Sequence, residues 1–342
     1  MCTLIVLHRC VTGRPLVVAA NRDEFFARPA EGPAIRESQT GRILAPRDLE
    51  AGGSWVGLSE RGVFAGLTNL RPNAALPASA GTSALGGAGG GSDGRRVSRV
   101  TSRVKSGPSG QIETPLRSRG EVVMTALEAR SAEEASETLS RLEEGLYNPF
   151  QLVVADAQSA ALIVYREGPR IFPLEPGLHV VGNVEDERIA EATSGPRDGI
   201  CAGGGAGSAV DAGAYFPGFE GIEGLVDTAE PRAQKLVRIR GRVEKLLTES
   251  GQDLFEGLAR ICREHVERED EAGPGAAPGP TSPFESTCVH VADRYGTRSS
   301  LLLELSEDAL ASRLWTTDGP PCRRPFENRS SLLRELGVRL SA

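Results

Sequence analysis

The sequence predicts an α+β protein built in layers on mostly antiparallel sheets. Three observations predict it: apolar runs paired across short turns in the first seventy residues, a block with helical spacing between residues 119 and 144, and strand-like runs toward the end. Thr3–Arg9 is a continuous β-branched and aliphatic run, Gly13 marks a turn, and Pro15–Ala20 is a second run. Together they predict a hairpin whose second strand delivers Asn21-Arg22-Asp23-Glu24 at its end. Ser54–Ser59 and Val63–Asn69, on either side of Glu60-Arg61-Gly62, predict another hairpin. Residues 74–116 are rich in Gly, Ser, Ala and Pro, cannot bury enough apolar surface to offset their ordering entropy, and are expected to be a disordered insertion. Its basic cluster Arg95–Lys105 reads as a solvated linker.

Val122, Val123, Ala126, Leu127, Ala135, Leu139 and Leu142 recur at helical spacing and predict two helices broken near Ser131. Phe150–Ala155, Ala160–Tyr165 and Leu178–Val181 read as strands, the last ending at Gly182-Asn183. A second Gly-rich insertion is expected over 195–228, then an amphipathic basic helix over Pro231–Leu247 and a helix over Asp253–Val266. Gly273–Pro283 reads as a linker, after which Thr287–Ala292, Ser299–Leu305 and Ser312–Thr317 close the fold as strands. No internal repeat is evident, and residues 1–342 read as one domain carrying two insertions.

Composition excludes several classes. With 39 basic against 46 acidic residues the net charge is −7, so no broad nucleic-acid footprint is expected. Six cysteines, at 2, 10, 201, 262, 288 and 322, show no CxxC pair or zinc-like spacing and read as reduced thiols of a cytoplasmic protein. No metal site and no cofactor are expected. Leu4–Leu7 is too short for a signal peptide and lacks a basic flank, and no stretch reaches 18 apolar residues, so no membrane span is expected.

The residue that carries most chemical information is Cys2. Removal of Met1 before this small residue puts a thiol and a free α-amine on one residue. Their reference pKa values of about 8.5 and 7.7–8.0 let the amine act as base for the thiol. The bland alternative is a small buried apolar residue at the start of a strand. Asn21, Arg22, Asp23, Asn69 and Asn183 would all stand at strand ends. A cysteine acyl-transfer site needs such types: a cation to favour thiolate, a carboxylate to hold the amine, and neutral donors for an oxyanion. Asn and Asp after strands are also common turn formers.

An ordered series of motifs runs through the chain: MCTLIVL, ANRDEFFARP at 20–29, GGSWVGLSERGVFAGLTNLR at 52–71, SRGE at 118–121, NPFQLVVAD at 148–156, PGLHVVGN at 176–183 and YGTRSS at 295–300. With these the chain resembles the NRDE family, also called the transport-and-Golgi-organisation-two family. The resemblance implies a four-layer αββα sandwich of the N-terminal-nucleophile hydrolase type, with the nucleophile at the start of the first strand. In the bile-salt and penicillin-V amidases, which are similar, a GLxxxGxxxxGLN run ends in an oxyanion Asn. Gly57–Asn69 places Asn69 in that role, and Asn183 matches a second oxyanion Asn. Arg22 and Asp23 match an Arg and an Asp that the amidases space as Arg-x-x-Asp but that are adjacent here. Arg298 matches a late-chain Arg, and with Asn21, Trp55 and Asn148 it makes up the candidate substrate-binding set. Relatives carry Leu-Ser before the second Asn and a Pro-Trp-Pro-Lys segment after it. Here Val181-Gly182 precede Asn183, and the segment is reduced to Pro231-Arg232-Ala233-Gln234-Lys235 beyond an insertion.

The expected function is therefore a cysteine hydrolase or acyl-transfer enzyme for a small amide or thioester, working after Met1 removal. The alternative is a non-catalytic carrier of haem, acyl-CoA or another lipid-type ligand, a link implied by the eukaryotic relatives. Little in the chain supports a haem site: the four His, at 8, 179, 265 and 290, show no recurring ligand spacing and are expected to be structural. The basic helix from Arg232 to Lys245 could attract propionate or phosphate, but reads as a solvated face.

Overall fold

The computed structural model describes residues 2–70, 116–184, 231–249, 251–266 and 282–340. Leu116 aside, the two Gly-rich insertions lie outside these residues, as does most of the Gly273–Pro283 linker.

Two antiparallel sheets form the centre. One contains β1 (Cys2–Val11), β2 (Arg14–Phe25), β10 (Gly177–Val181), β11 (His290–Val291), β12 (Tyr295–Leu305), β13 (Arg313–Asp318) and β14 (Glu327–Asn328). Its order is β10-β1-β2-β12-β13-β14, with β11 paired to β12. The other runs in sequence order: β3 (Ala30–Ser38), β4 (Gly41–Asp48), β5 (Val56–Ser59), β6 (Phe64–Asn69), β7 (Phe150–Ala155), β8 (Ala160–Tyr165) and β9 (Pro169–Pro173). Among the described residues the helices are α1 (Arg119–Leu127), α2 (Ala132–Leu139), α3 (Pro231–Thr248), α4 (Leu254–Arg263) and the short α5 (Ser331–Leu336).

Side-chain alternation sorts these elements into four layers. Leu4, Val6, Val18 and Leu303 of the first sheet pack against Leu58, Phe64, Val153 and Val164 of the second. The opposite face of the first sheet, through Ile5, Val17 and Val180, packs on Leu236, Ile239, Phe255 and Leu258 of α3 and α4. The opposite face of the second, through Ala65, Leu152 and Ile163, packs on Val123, Leu127 and Leu139 of α1 and α2. This is the αββα order the motif series implied. The helix break also falls as expected, because the Ser131 side chain caps α2 by accepting from the Glu134 backbone N–H.

As expected, Asn21–Glu24 stands at the end of β2, which runs through Phe25 and pairs with both β1 and β12. Of the strand expected over Thr287–Ala292, only His290–Val291 forms, as β11. Strands β3 and β4 occupy a part of the first seventy residues where no particular element was expected. Sheet-edge β3 contains Pro33 and is largely half-exposed, so it lacks the alternating apolar pattern of an inner strand. The basic helix is not simply a solvated face, since Arg232, Lys235 and Arg240 are buried. Arg240 pairs with Glu244 at 2.9 Å, and the Arg232 guanidinium lies 4.2 Å from the centre of the Phe284 ring.

Candidate active site

Cys2 opens β1, and its register partner on β2 is Arg22. Both share the inter-sheet face of their strands with Leu4 and Ala20. Two cavities meet there. One of about 440 Å³ is lined by Cys2, Arg22 and Trp55 and extends to Arg298 and Asp318. The other, of about 210 Å³, is also lined by Cys2, Arg22 and Trp55, and extends to Asn69, Arg119 and Asn148. The Arg22 guanidinium lies 4.0 Å from the centre of the Trp55 ring, so a stacked pair stands beside the thiol between the two spaces.

Electrostatics around the thiol are mixed. Burial pushes the Cys2 thiol above its ordinary value, and the Asp23 and Glu24 charges add to this, while the Arg22 charge opposes it. The resting sulfur is therefore an S–H that needs a base before it can attack. No imidazole lines either cavity. Arg22 is held by Asp48 at 3.3 Å, and its buried Nη1 has no hydrogen-bond partner among the described residues. Arg28 binds the same Asp48 oxygen through Nε at 2.7 Å. Burial works to raise the Asp48 pKa, but the Arg28 hydrogen bond and the Ala51 and Glu50 N–H groups outweigh it and hold the carboxyl below its usual range.

Strand periodicity separates Arg22 from Asp23. Arg22 faces the second sheet, whereas Asn21 and Asp23 share the face of Val17 and Ala19 toward the helices. The Asn21 amide donates to the Cys262 and Thr287 carbonyls at 3.0 and 2.9 Å and accepts from Ser300 Oγ at 2.6 Å, which makes it a brace between strand and helix layers. The Asp23 carboxylate accepts from Thr297 Oγ1 at 2.6 Å and stands 3.8 Å from Lys235 Nζ, both side chains being buried. Burial lowers the Lys235 pKa, and Asp23 opposes the shift.

Asn69 ends β6 and lines the smaller cavity with Cys2. Asn183 is two residues past β10 and lines neither cavity. Its amide donates to the Asn69 carbonyl at 2.5 Å and so ties the end of one sheet to the end of the other. Thr68 Oγ1 and Gln151 Nε2 reinforce that tie by donating to the Gly182 carbonyl at 2.9 and 2.7 Å. A Cβ on Gly182 would sit 2.7 Å from the tip of the Leu236 side chain, so a side chain here would have to push Leu236 of α3 aside. Asn148 is exposed at the rim of the smaller cavity. Arg298 lines the larger one as the extra residue of a bulge between Thr297 and Ser299, with Nε donating to the Arg28 carbonyl at 3.2 Å.

The profile described as Transport and Golgi organisation 2 matches residues 1–87 and 88–312. The chain belongs to the Transport and Golgi organisation 2 family. Among relatives in that family, the human Transport and Golgi organization protein 2 homolog is 29% identical over 177 residues, 49% of this chain and 50% of that protein. The Bos taurus homolog is 46% identical over 61 residues, 17% of this chain and 22% of that one. The chain thus spans half or less of the length of the curated relatives it matches. Among solved structures it is similar to a mutant conjugated bile acid hydrolase from Clostridium perfringens, at 12% identity, a TM-score of 0.43 and 96% coverage of each chain. It is also similar to a Caenorhabditis elegans N-acylethanolamine-hydrolyzing acid amidase ortholog, at 13% identity, a TM-score of 0.32, and coverage of 56% of this chain and 76% of that one.

Within this family member, sequence reasoning passed over Lys235, Thr297, Arg28, Asp48 and Arg119. Lys235 was visible only as the end of a reduced motif, and nothing local ties it to Asp23. Arg119 lies in the SRGE run. It donates to the Pro149 carbonyl at 3.2 Å and has no carboxylate partner among the described residues, so its charge is available to the smaller cavity. Among the described residues, no helix is long and apolar enough to cross a membrane.

Proposed function

We propose that this protein is a cysteine hydrolase or acyl-transfer enzyme of the N-terminal-nucleophile type, acting on an amide or thioester once Met1 has been removed. The observation that carries the reading is the Cys2 thiol at the junction of two cavities, beside Arg22 and with no imidazole lining either space. A buried thiol in that setting needs a local base, and the Cys2 α-amine is one. Asp23 stands one register step beyond the Cys2–Arg22 pair, on the side from which Met1 is removed. In this reading Asp23 holds the amine, and the contacts of its carboxylate with Thr297 and Lys235 support that role.

In the proposed reaction the amine takes the thiol proton, sulfur bonds to the carbonyl carbon, and the carbonyl π pair moves to oxygen. Asn69 donates to that oxyanion from the smaller cavity. Collapse breaks the bond to the leaving amine or thiol, which departs with the proton held on the α-ammonium. Water then attacks the acyl-sulfur carbon, its proton passes to the amine, and Cys2 is released. Asn183 acts through Asn69, by holding its carbonyl, and so has a positioning role.

The specific observation favouring a carrier instead is Arg119 in the smaller cavity, a cation without a carboxylate partner among the described residues that could meet a phosphate or propionate group, beside Arg22, Arg28 and Arg117, which are already paired with carboxylates. One experiment separates the readings: the mass of the N-terminal peptide before and after exposure to a panel of acyl thioesters and activated amides. Loss of Met1, a transient acyl mass on Cys2, and a 100–1000-fold slower turnover for Asn69→Ala are expected. Retained Met1, or a bare Cys2 that no panel member modifies, abandons catalysis. Undiminished binding of haem or acyl-CoA by a Cys2→Ala variant then favours the carrier.

A further inference from the structure

Away from Cys2, on the far side of the first sheet, four side chains with metal-binding chemistry converge from separate parts of the chain. His265 follows the end of α4, Cys288 precedes β11, His290 lies in β11, and Cys322 lies between β13 and β14. One ligand atom from each can be chosen so that all four lie within 4.8 Å of one another. His290 Nε2 is 3.6 Å from Cys288 Sγ and 3.1 Å from Cys322 Sγ, and the two imidazole rings are 5.2 Å apart between centres. A tetrahedral zinc ion with bonds of about 2.3 Å to sulfur and about 2.0–2.1 Å to nitrogen has ligand–ligand edges of about 3.3–3.8 Å. The observed spacings fall around those values, and the widest closes with a side-chain adjustment of about 1 Å. Two of the four histidines and two of the five described cysteines meet here. None of these cysteines is in a disulfide.

We propose that His265, Cys288, His290 and Cys322 form a structural zinc site of the Cys2His2 type. Two soft thiolates and two imidazoles are the donor set that suits zinc, and the two thiolates cancel its charge. Four protein ligands close the coordination sphere, so the ion is structural and activates no water. Cys288 is buried while His265 is exposed, which gives the ion a way in from solvent. The site joins α4, the β11–β12 edge and the β13–β14 loop, three pieces that carry the frame behind Asp23. The Cys262 and Thr287 carbonyls beside it receive the Asn21 amide, and Thr297 Oγ1 accepts from the Val289 N–H while donating to Asp23.

The test uses the full chain, purified with thiols reduced. Elemental analysis after incubation with zinc and desalting is expected to give one zinc per chain. Cobalt(II) in its place is expected to give the near-ultraviolet thiolate charge-transfer band and the intense visible bands of a tetrahedral ion. Cys2→Ala is expected to keep both signals, which makes the result independent of the proposed catalysis. Cys322→Ser and His265→Ala are expected to lose the tight metal or change the cobalt spectrum, and chelation of the parent protein should lower its melting temperature. Absence of zinc from the reduced parent chain after that incubation, or a cobalt spectrum without thiolate charge transfer, overturns the proposal. So does a Cys288–Cys322 disulfide in the protein as isolated from cells.

Discussion

Arg22 and Asp23 are neighbours in β2 whose side chains leave on opposite faces of the sheet, one toward the inter-sheet cavities and the other toward α3. The difference decides what each can do. The Arg22 charge opposes the upward push on the Cys2 thiol, while the Asp23 carboxylate is held on the other face by Thr297 and Lys235. A charge pair buried this deeply is costly to break from one side, because the remaining ion has lost its water without keeping its partner. Lys235→Met is therefore expected to destabilise the fold by about 3–5 kcal/mol in urea denaturation. Asp23→Asn combined with Lys235→Met is expected to recover part of that loss. A double variant less stable than Lys235→Met alone would mean that the pair is not the source of the effect.

At the scale of elements, the family motifs become intelligible as contacts between backbones. The GGSW loop touches the SRGE helix start: Ser54 N–H donates to the Gly120 carbonyl at 3.3 Å, and a Cβ on Gly53 would lie 2.5 Å from Gly120 carbonyl carbon. Gly53 also has φ +68°, where an L side chain is strained by roughly 1–3 kcal/mol. Gly13, in the β1–β2 turn, has nearly the same φ, +71°, but open space around its missing Cβ. Gly13→Ala therefore carries the conformational strain alone, whereas Gly53→Ala adds a collision with backbone that cannot swing aside. Thermal unfolding of the two variants should show the larger loss for Gly53→Ala. Equal losses would mean that the loop retreats from α1 without penalty. The hairpins, the two-helix break at Ser131 and the last two closing strands, β12 and β13, were legible in the sequence because apolar periodicity and capping are local. Strand β3 was not, since an edge strand containing Pro33 has little core to face. The burial of Lys235 and Arg240 was not either, because it is set by what packs on α3 and leaves no mark on the helix's own pattern.

Across the whole molecule, packing of helix layers on both outer sheet faces seals groups that titrate in the unfolded chain. Cys262 of α4 is the clearest case: burial pushes its thiol up to about 12. A pKa raised in the folded state means that the unfolded chain loses its proton first as pH rises. The contribution of Cys262 to stability is thus fully present below the ordinary thiol value of about 8.5 and fades from there toward pH 12. Denaturation midpoints followed upward from pH 8 should fall, and less steeply for Cys262→Ala than for the parent. Parallel declines would show that the thiol ionises without opening the α4 interface.

By itself the sequence determined the layered α+β class and the family, and it singled out Cys2, Arg22 and Asn69 as candidate site residues, because strand periodicity and short motifs are encoded by neighbours in the chain. Only the tertiary structure decided that Arg22 and Asp23 face different layers, that Asn183 holds Asn69, that Lys235 reaches Asp23, and that two Cys and two His meet at one point. Each of these joins residues far apart in sequence, or turns on which strand lies beside which. Such relations arise from the pairing register and the stacking of layers, to which no local pattern of residues is bound.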